Sequence, residues 1–156
     1  ELPLYVEAFN EATEGLDCEF HVHVCFPPDH GYEYLFPYVA EMKKCRQFSL
    51  EFANRDHTTL GVDENIRMGY AALKEFKEYT SKQKIGLGVV DVHTDFVEPP
   101  ELVRDRILYA AKTLGDPRRI VVCPDCGMRT RTWDVTYEKL RNMVRGAEMA
   151  REKLGG

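Results

Sequence analysis

The sequence lacks the features that would assign the protein to a membrane or to nucleic acid. No apolar run approaches the roughly 18 residues needed to span a bilayer, and no stripe of basic residues marks a nucleic-acid surface. The formal net charge is −5, from 21 Lys and Arg against 26 Asp and Glu. With 44% hydrophobic and 30% charged residues, the composition is that of a globular domain or part of one. We therefore expect neither a nucleic-acid nor a membrane partner.

A secretion signal and a disulfide framework are missing as well. The N-terminal residues Glu1-Leu2-Pro3-Leu4 contain no basic segment and no initiator Met, so we expect that the chain was cut from something longer. The five cysteines are an odd number, which argues against a disulfide framework. We expect reduced thiols and a cytoplasmic location, with some cysteines in the core and others available as ligands.

Apolar patterns predict an initial helix and then four strands, each followed by a helix. The strands are predicted over 18–25, 47–52, 84–92 and 119–123. The first alternates apolar and polar residues, which places His21, His23 and Cys25 on one side. The later helices are predicted from helical spacing and from their starts: a stretch up to about residue 44, one capped by Asp63, one opened by Pro99 and Pro100, and one capped by Asp134.

Alternation of strands and helices indicates a parallel sheet with right-handed crossovers. Four β–α units make half of a (β/α)8 barrel, which needs about 250 residues in full. An open five-stranded doubly wound domain would need one more strand, and no G-x-G-x-x-G motif follows the first strand. We therefore predict an α/β fold of the (β/α)8 TIM-barrel type, of which this chain supplies four β–α units.

Residues that bind metals or transfer protons lie at or just beyond the C-terminal end of each predicted strand. In a parallel α/β fold these ends lie on one face, so residues about a hundred positions apart can meet there. Cys, His and Glu are zinc ligands, which makes zinc the expected cofactor. The residues are His23 with Cys25, Glu51, Asp91 with His93, and Cys126.

Each of these residues also has a structural interpretation. His23 and Cys25 would then be a hydrogen-bonded histidine beside a core cysteine, and Glu51 would form a salt bridge with Arg55. His93 could be a ligand, a general acid or a satisfied core group, and Asp91 could orient it.

The pair Cys123 and Cys126 has a CxxC spacing, which fits half a zinc site or a redox dithiol. The redox motif normally opens a helix after an early strand, whereas this pair closes the last strand. We expect Cys123 to face the core and Cys126 to reach the open face.

Three segments resemble the C-terminal catalytic barrel of cobalamin-independent methionine synthase. They are the H-x-C motif at 23–25, the block Gly86-Leu87-Gly88-Val89-Val90-Asp91-Val92-His93, and the block Pro124-Asp125-Cys126-Gly127-Met128-Arg129-Thr130-Arg131. A Glu at a strand end lies between the first two segments, in the family's order. The resemblance covers nearly the whole chain.

The resemblance implies that zinc is bound by His23, Cys25, Glu51 and Cys126, and that His93 is the proton donor, with Asp91 behind it. It implies that residues 1–156 are the C-terminal half of the barrel domain, which needs an N-terminal half-barrel or a second copy. The implied activity is zinc-dependent methyl transfer from a methylated folate, or a similar donor, to a homocysteine-type thiol to form methionine.

Two loops depart from the family pattern and leave other activities open. A longer loop follows Cys25, and His93 is followed by Thr94-Asp95-Phe96, where the synthases usually have Ser-Pro. A zinc alkyltransferase of the same family, which adds a thiol such as coenzyme M to an epoxide, is one alternative. The others are a zinc-stabilised module without catalysis, and a zinc-free barrel enzyme such as a decarboxylase.

Overall fold

The fold is built on one parallel sheet. The computed structural model describes residues 1–25 and 31–155 of the chain. The strands are β1 Phe20–Val24, β2 Cys45–Leu50, β3 Lys84–Gly88 and β4 Ile120–Cys123, and they pair in chain order. A doubly wound sheet reverses its strand order at a switch point. Here each strand pairs with the next along the chain, as in a barrel.

The α-helices of the described residues alternate with the strands, and each packs against the next helix in chain order. They are α1 Leu2–Thr13, α2 Phe36–Val39, α3 Leu73–Tyr79, α4 Pro100–Leu114 and α5 Trp133–Lys153. Short 3-10 turns lie at Glu33–Leu35, Ala53–Arg55, Met68–Tyr70 and Pro117–Arg119. Each α-helix contacts the next one along the chain, as in the outer ring of a barrel. Within 1–25 and 31–155, no helix combines the length and the apolar character that a membrane crossing requires.

The hydrophobic core lies between the helices and the sheet. Ile85 and Leu87 of β3 are fully buried, together with Leu73 and Phe76 of α3. Burying a side chain of this size stabilises a fold by about 1.5–3 kcal/mol. A near-continuous apolar strand of this kind is typical of the centre of a parallel sheet.

Strand β1 keeps its alternating pattern in the fold. Val22 and Val24 are half-buried and pack against the core. Because side chains alternate along a strand, His21 and His23 lie on the opposite face and are exposed.

The helix predicted to begin at Asp63 is present, but its predicted start is wrong. The chain forms turns there and a 3-10 turn at Met68–Tyr70, and α3 begins only at Leu73. The reason is tertiary: Arg67 is fully buried and its Nη1 lies 2.5 Å from Oδ2 of Asp56, which is also buried. This ion pair fixes the segment in a conformation that helical spacing alone does not foresee.

Other predicted boundaries also need correction. β1 begins at Phe20 instead of residue 18. β3 ends at Gly88 instead of residue 92, because its pairing with β4 stops at Gly88. The helical stretch after β1 ends at Val39. Thr132, and not Asp134, caps α5, because the Thr132 hydroxyl accepts a hydrogen bond from a backbone N–H of the first turn at 3.4 Å.

Candidate metal centre

Four side chains from three strand ends converge at the C-terminal edge of the sheet. Their ligand atoms all lie within 4.8 Å of one another. In a tetrahedral zinc site, bonds of about 2.0–2.3 Å place the donor atoms about 3.3–3.8 Å apart. The group therefore needs only small movements to enclose one ion, and it offers one nitrogen, one oxygen and two sulfurs. Its members are His23, Cys25, Glu51 and Cys126.

The imidazole of His23 is oriented as in a metal-binding histidine. Its Nδ1 lies 2.9 Å from the backbone carbonyl oxygen of Ser49 on β2. A carbonyl can only accept, so Nδ1 carries the proton. In a neutral ring Nε2 then has a free lone pair, and it lies 3.3 Å from Sγ of Cys126. A metal-ligating histidine usually donates its other ring N–H to a backbone carbonyl, a carboxylate or a water molecule.

Glu51 enters the site directly after β2 and is fully buried. Asn54 donates a hydrogen bond from Nδ2 to its Oε2 at 2.8 Å. The Glu51 backbone N–H donates to the Tyr32 hydroxyl at 2.9 Å, and that hydroxyl donates to the carbonyl of Val24 at 2.9 Å. Tyr32 thus bridges the ends of β1 and β2 beside two of the candidate ligands.

Of the CxxC pair, only Cys126 joins the cluster. Cys123 ends β4, and burial raises the pKa of its thiol to about 12, with the nearby Asp125 carboxyl adding to the shift. A thiol with that pKa stays protonated at neutral pH and is a poor nucleophile. Because Cys126 lies among three other candidate ligands and Cys123 does not, the geometry favours a shared metal site over a redox dithiol.

The cluster brings two thiols and a carboxylate close together, so their negative charges would repel one another. Burial raises the pKa of the Cys25 thiol, and the neighbouring Cys126 and Glu51 raise it further. A divalent cation relieves this repulsion and stabilises the thiolates. The donor set and its electrostatics therefore both fit a bound zinc ion.

We predict that zinc binding displaces protons and strengthens with pH. Because the pKa of Cys25 is raised, its thiol holds its proton through neutral pH and must release it to bind metal. The affinity should rise by up to about tenfold per pH unit for each protonated thiol. Competition with a chromophoric chelator from about pH 6.5 to about pH 8.5 measures the slope. An affinity independent of pH in this range would contradict thiol ligation.

His93 lies in the loop after β3 with its imidazole at the edge of the cluster. Its Nε2 is 3.5 Å from Oε2 of Glu51, and about a third of its side chain is exposed. The Asp91 carboxylate accepts the backbone N–H of His93 at 2.7 Å. This hydrogen bond from Asp91 is to the backbone of His93 and not to its imidazole ring.

A buried ion pair that the sequence analysis missed supports this loop. Glu98 accepts the Asp91 backbone N–H at 2.7 Å, and its other oxygen lies 2.9 Å from Nζ of Lys139 on α5. Lys139 also donates to the carbonyls of Asp91, at 2.8 Å, and of Phe96. The sequence contains a signal for the burial of Lys139, which lies four residues from Val135 and from Met143 and therefore on the apolar side of α5.

We predict a large loss of stability when this pair is broken. The variant Lys139→Met leaves the Glu98 carboxylate buried without its closest cation, which costs about 3–5 kcal/mol in comparable buried pairs. Urea unfolding measures the change. The control is Lys74→Met, which removes an exposed pair with Glu64 and should change stability little. Equal effects of the two variants would contradict the assignment.

The loop after Cys25, which departs from the family pattern, lies largely outside the described residues, since 26–30 are not described. Asp95 belongs to the second departing loop, the one after His93. It forms an ion pair at 2.6 Å with Arg131, which lies in the loop after β4.

Comparison with known proteins assigns the fold and the family. The family described as Cobalamin-independent synthase, Catalytic domain, matches residues 6–149. The B12-independent methionine synthase from Shewanella sp. W3-18-1, solved in complex with selenomethionine, superposes with a TM-score of 0.71 at 27% identity. The match covers 98% of this chain and 47% of that chain. The α/β TIM-barrel type predicted from the sequence is confirmed.

Curated relatives are named methionine synthase. The protein of Thermoplasma acidophilum is 40% identical over 148 residues, which is 92% of this chain and 42% of that protein. The protein of Thermococcus kodakarensis is 34% identical over 154 residues, or 99% of this chain and 40% of its own length. The chain thus spans about two fifths of the length of these relatives. It belongs to the cobalamin-independent methionine synthase family and matches the family's catalytic domain.

Proposed function

We propose that the protein is a zinc-dependent methyltransferase that methylates a homocysteine-type thiol to form methionine. The observation that carries the proposal is the convergence of His23, Cys25, Glu51 and Cys126, with the His93 imidazole at its edge. The names of the relatives support the reaction class. The selenomethionine in the Shewanella structure, a close analogue of methionine, supports the product.

The cofactor in this proposal is zinc. Its ligands are His23, Cys25, Glu51 and Cys126, and two thiolates with a histidine nitrogen are typical of zinc sites. When bound there, zinc lowers the pKa of a substrate thiol, so that the sulfur reacts as a thiolate at neutral pH.

His93 is the proton donor of the proposed reaction. The substrate sulfur attacks the methyl carbon, a carbon–sulfur bond forms, and the bond from that carbon to the nitrogen of a methylated folate breaks. An amine anion is a poor leaving group, so that nitrogen needs a proton as the bond breaks. The partly exposed imidazole of His93 supplies it, while Asp91, Glu98 and Lys139 hold its loop.

We further propose that other strands complete the barrel. Among the described residues β1 and β4 are the edges of the sheet, and open edges invite pairing. An N-terminal half-barrel, or a second copy of the chain, would cover them and close the site around the thiol and the methyl donor. A cytoplasmic location suits this chemistry, because reducing conditions keep thiols available, and all five cysteines are free.

The proposal is tested by an assay with labelled methyl groups. The zinc-loaded chain is combined with the part of the Thermoplasma acidophilum relative that it does not match, and is supplied with homocysteine and a methylated folate. We expect labelled methionine, lost with a chelator and restored by zinc, and no turnover from the 156-residue chain alone. A zinc-loaded, assembled protein that transfers no methyl group would contradict the proposal.

The same assay separates the family's alternative chemistry. An epoxide with coenzyme M as the thiol replaces the folate and homocysteine in a parallel reaction. Product from this pair alone would assign the protein to the zinc alkyltransferases instead.

A further inference from the structure

Asp125 is a buried carboxylate that binds a loop from another part of the sheet. Its side chain is almost fully buried. Oδ1 accepts the backbone N–H groups of Phe52 and Ala53, each at 3.0 Å, and Oδ2 accepts that of Asn54 at 2.7 Å. These three residues directly follow Glu51, whereas Asp125 directly precedes Cys126. One carboxylate therefore joins the loops that carry two of the candidate zinc ligands.

The link crosses a strand that lies between the two loops. The loops follow β2 and β4, which are not neighbours, because β3 lies between them. The backbone N–H of Asp125 donates to the Val90 carbonyl at 3.0 Å, which binds Asp125 to the segment that directly follows β3. Gly88 at the end of β3 makes room, since a Cβ there would overlap Oδ1 of Asp125 and would lie 2.7 Å from the Leu50 carbonyl oxygen.

The link continues to the Glu51 carboxylate itself. Asn54, whose N–H binds Asp125, donates from Nδ2 to Oε2 of Glu51 at 2.8 Å. A shift of Asp125 would therefore move Asn54 and, through it, the orientation of Glu51. The same shift would move Cys126, which is the next residue in the chain.

We propose that Asp125 is a positioning residue that sets the placement of Glu51 relative to Cys126, with Gly88 providing the space. This inference rests on the proposed zinc site. An aspartate is needed because both of its oxygens accept hydrogen bonds. Asparagine would present its Nδ2 donor to at least one backbone N–H and lose that hydrogen bond. Asp125 itself contributes no atom to the cluster of ligands.

The test compares zinc affinity among matched variants. For Asp125→Asn we expect about a 10- to 100-fold weaker affinity, as for other groups that orient metal ligands. The control is Asp105→Asn. Asp105 is also buried and accepts a backbone N–H, from Gly61 at 2.8 Å, but its other hydrogen bond is to Arg104. Its substitution should leave zinc affinity unchanged even where it lowers stability.

Two further readouts separate positioning from general stability. The cobalt(II) form should lose intensity in its thiolate-to-metal band in Asp125→Asn and keep it in Asp105→Asn. In chelator-treated protein, the amides of Phe52, Ala53 and Asn54 should exchange with solvent faster in Asp125→Asn than in wild type. Asn54→Ala, at a partly exposed position, provides a milder break of the same link and should also weaken zinc binding.

The outcomes distinguish the inference from the proposed function. Absence of zinc binding by wild type would contradict the proposed function. A wild type that binds zinc, with equal affinity and an equal cobalt spectrum in Asp125→Asn, would contradict the positioning role alone. If Asp125→Asn does not fold, unchanged zinc affinity in Asn54→Ala would overturn the inference.

Discussion

Replacing either candidate cysteine ligand should abolish zinc binding. Cys25→Ser and Cys126→Ser exchange a thiolate for a hydroxyl that stays protonated at neutral pH and is a far weaker zinc ligand. We expect zinc content to fall from about one ion per chain to nearly none in each variant, with methyl transfer lost. Zinc analysis of the purified variants by mass spectrometry measures the change. The two residues are 101 positions apart, so equal losses would show that distant strand ends share one metal.

Cys123→Ser is the matched control for this prediction. It belongs to the same CxxC sequence as Cys126, but it lies on β4 outside the cluster and its thiol has a pKa raised to about 12. The variant should keep its zinc. Loss of zinc from Cys123→Ser, together with retention in Cys25→Ser, would place the metal on the CxxC pair and contradict the strand-end site.

Substitution of His93 should separate catalysis from metal binding. His93→Gln retains a polar side chain but removes the proposed proton donor. General acid catalysis contributes about 10²- to 10⁴-fold to a rate, and the folate nitrogen is an unusually poor leaving group. We therefore expect turnover of the assembled protein to fall by a factor in this range, while zinc content stays at the wild-type level. Single-turnover transfer of a labelled methyl group, with zinc measured on the same sample, provides both values.

His21→Gln is the corresponding control. His21 lies two residues before His23 on β1, on the same exposed face, and is outside the cluster of ligands. Turnover should be unaffected by this change. Equal turnover in wild type and His93→Gln would assign the proton donation to another group. Loss of zinc from His93→Gln would instead make His93 part of the metal site.

The convergence of the site could be predicted because it follows from backbone geometry. Side chains two apart on a strand share a face, which pairs His23 with Cys25. The C-terminal ends of parallel strands share an edge, which brings Glu51 and Cys126 to them. Neither step requires knowledge of how individual side chains pack. The strand order, which follows the chain without reversal, agrees with the barrel type predicted from the four β–α units.

The supporting contacts could not be predicted because they depend on side chains that cross between elements. Asp125 lies between the two cysteines of the CxxC spacing, and the sequence does not show that its carboxylate reaches across β3 to three backbone amides after β2. Arg67 lies in a segment with helical spacing, but its buried pair with Asp56 keeps that segment out of a helix. In both cases the contact joins residues that are distant in sequence, and a buried charge left without it costs several kcal/mol.

X-ray absorption at the zinc edge of the purified protein tests the central claim most directly. The claim is that one zinc ion is bound by His23, Cys25, Glu51 and Cys126. It predicts two sulfur ligands at about 2.3 Å and two nitrogen or oxygen ligands at about 2.0–2.2 Å, one of them an imidazole. A zinc ion with only nitrogen and oxygen neighbours, or a protein that binds no zinc, would contradict it.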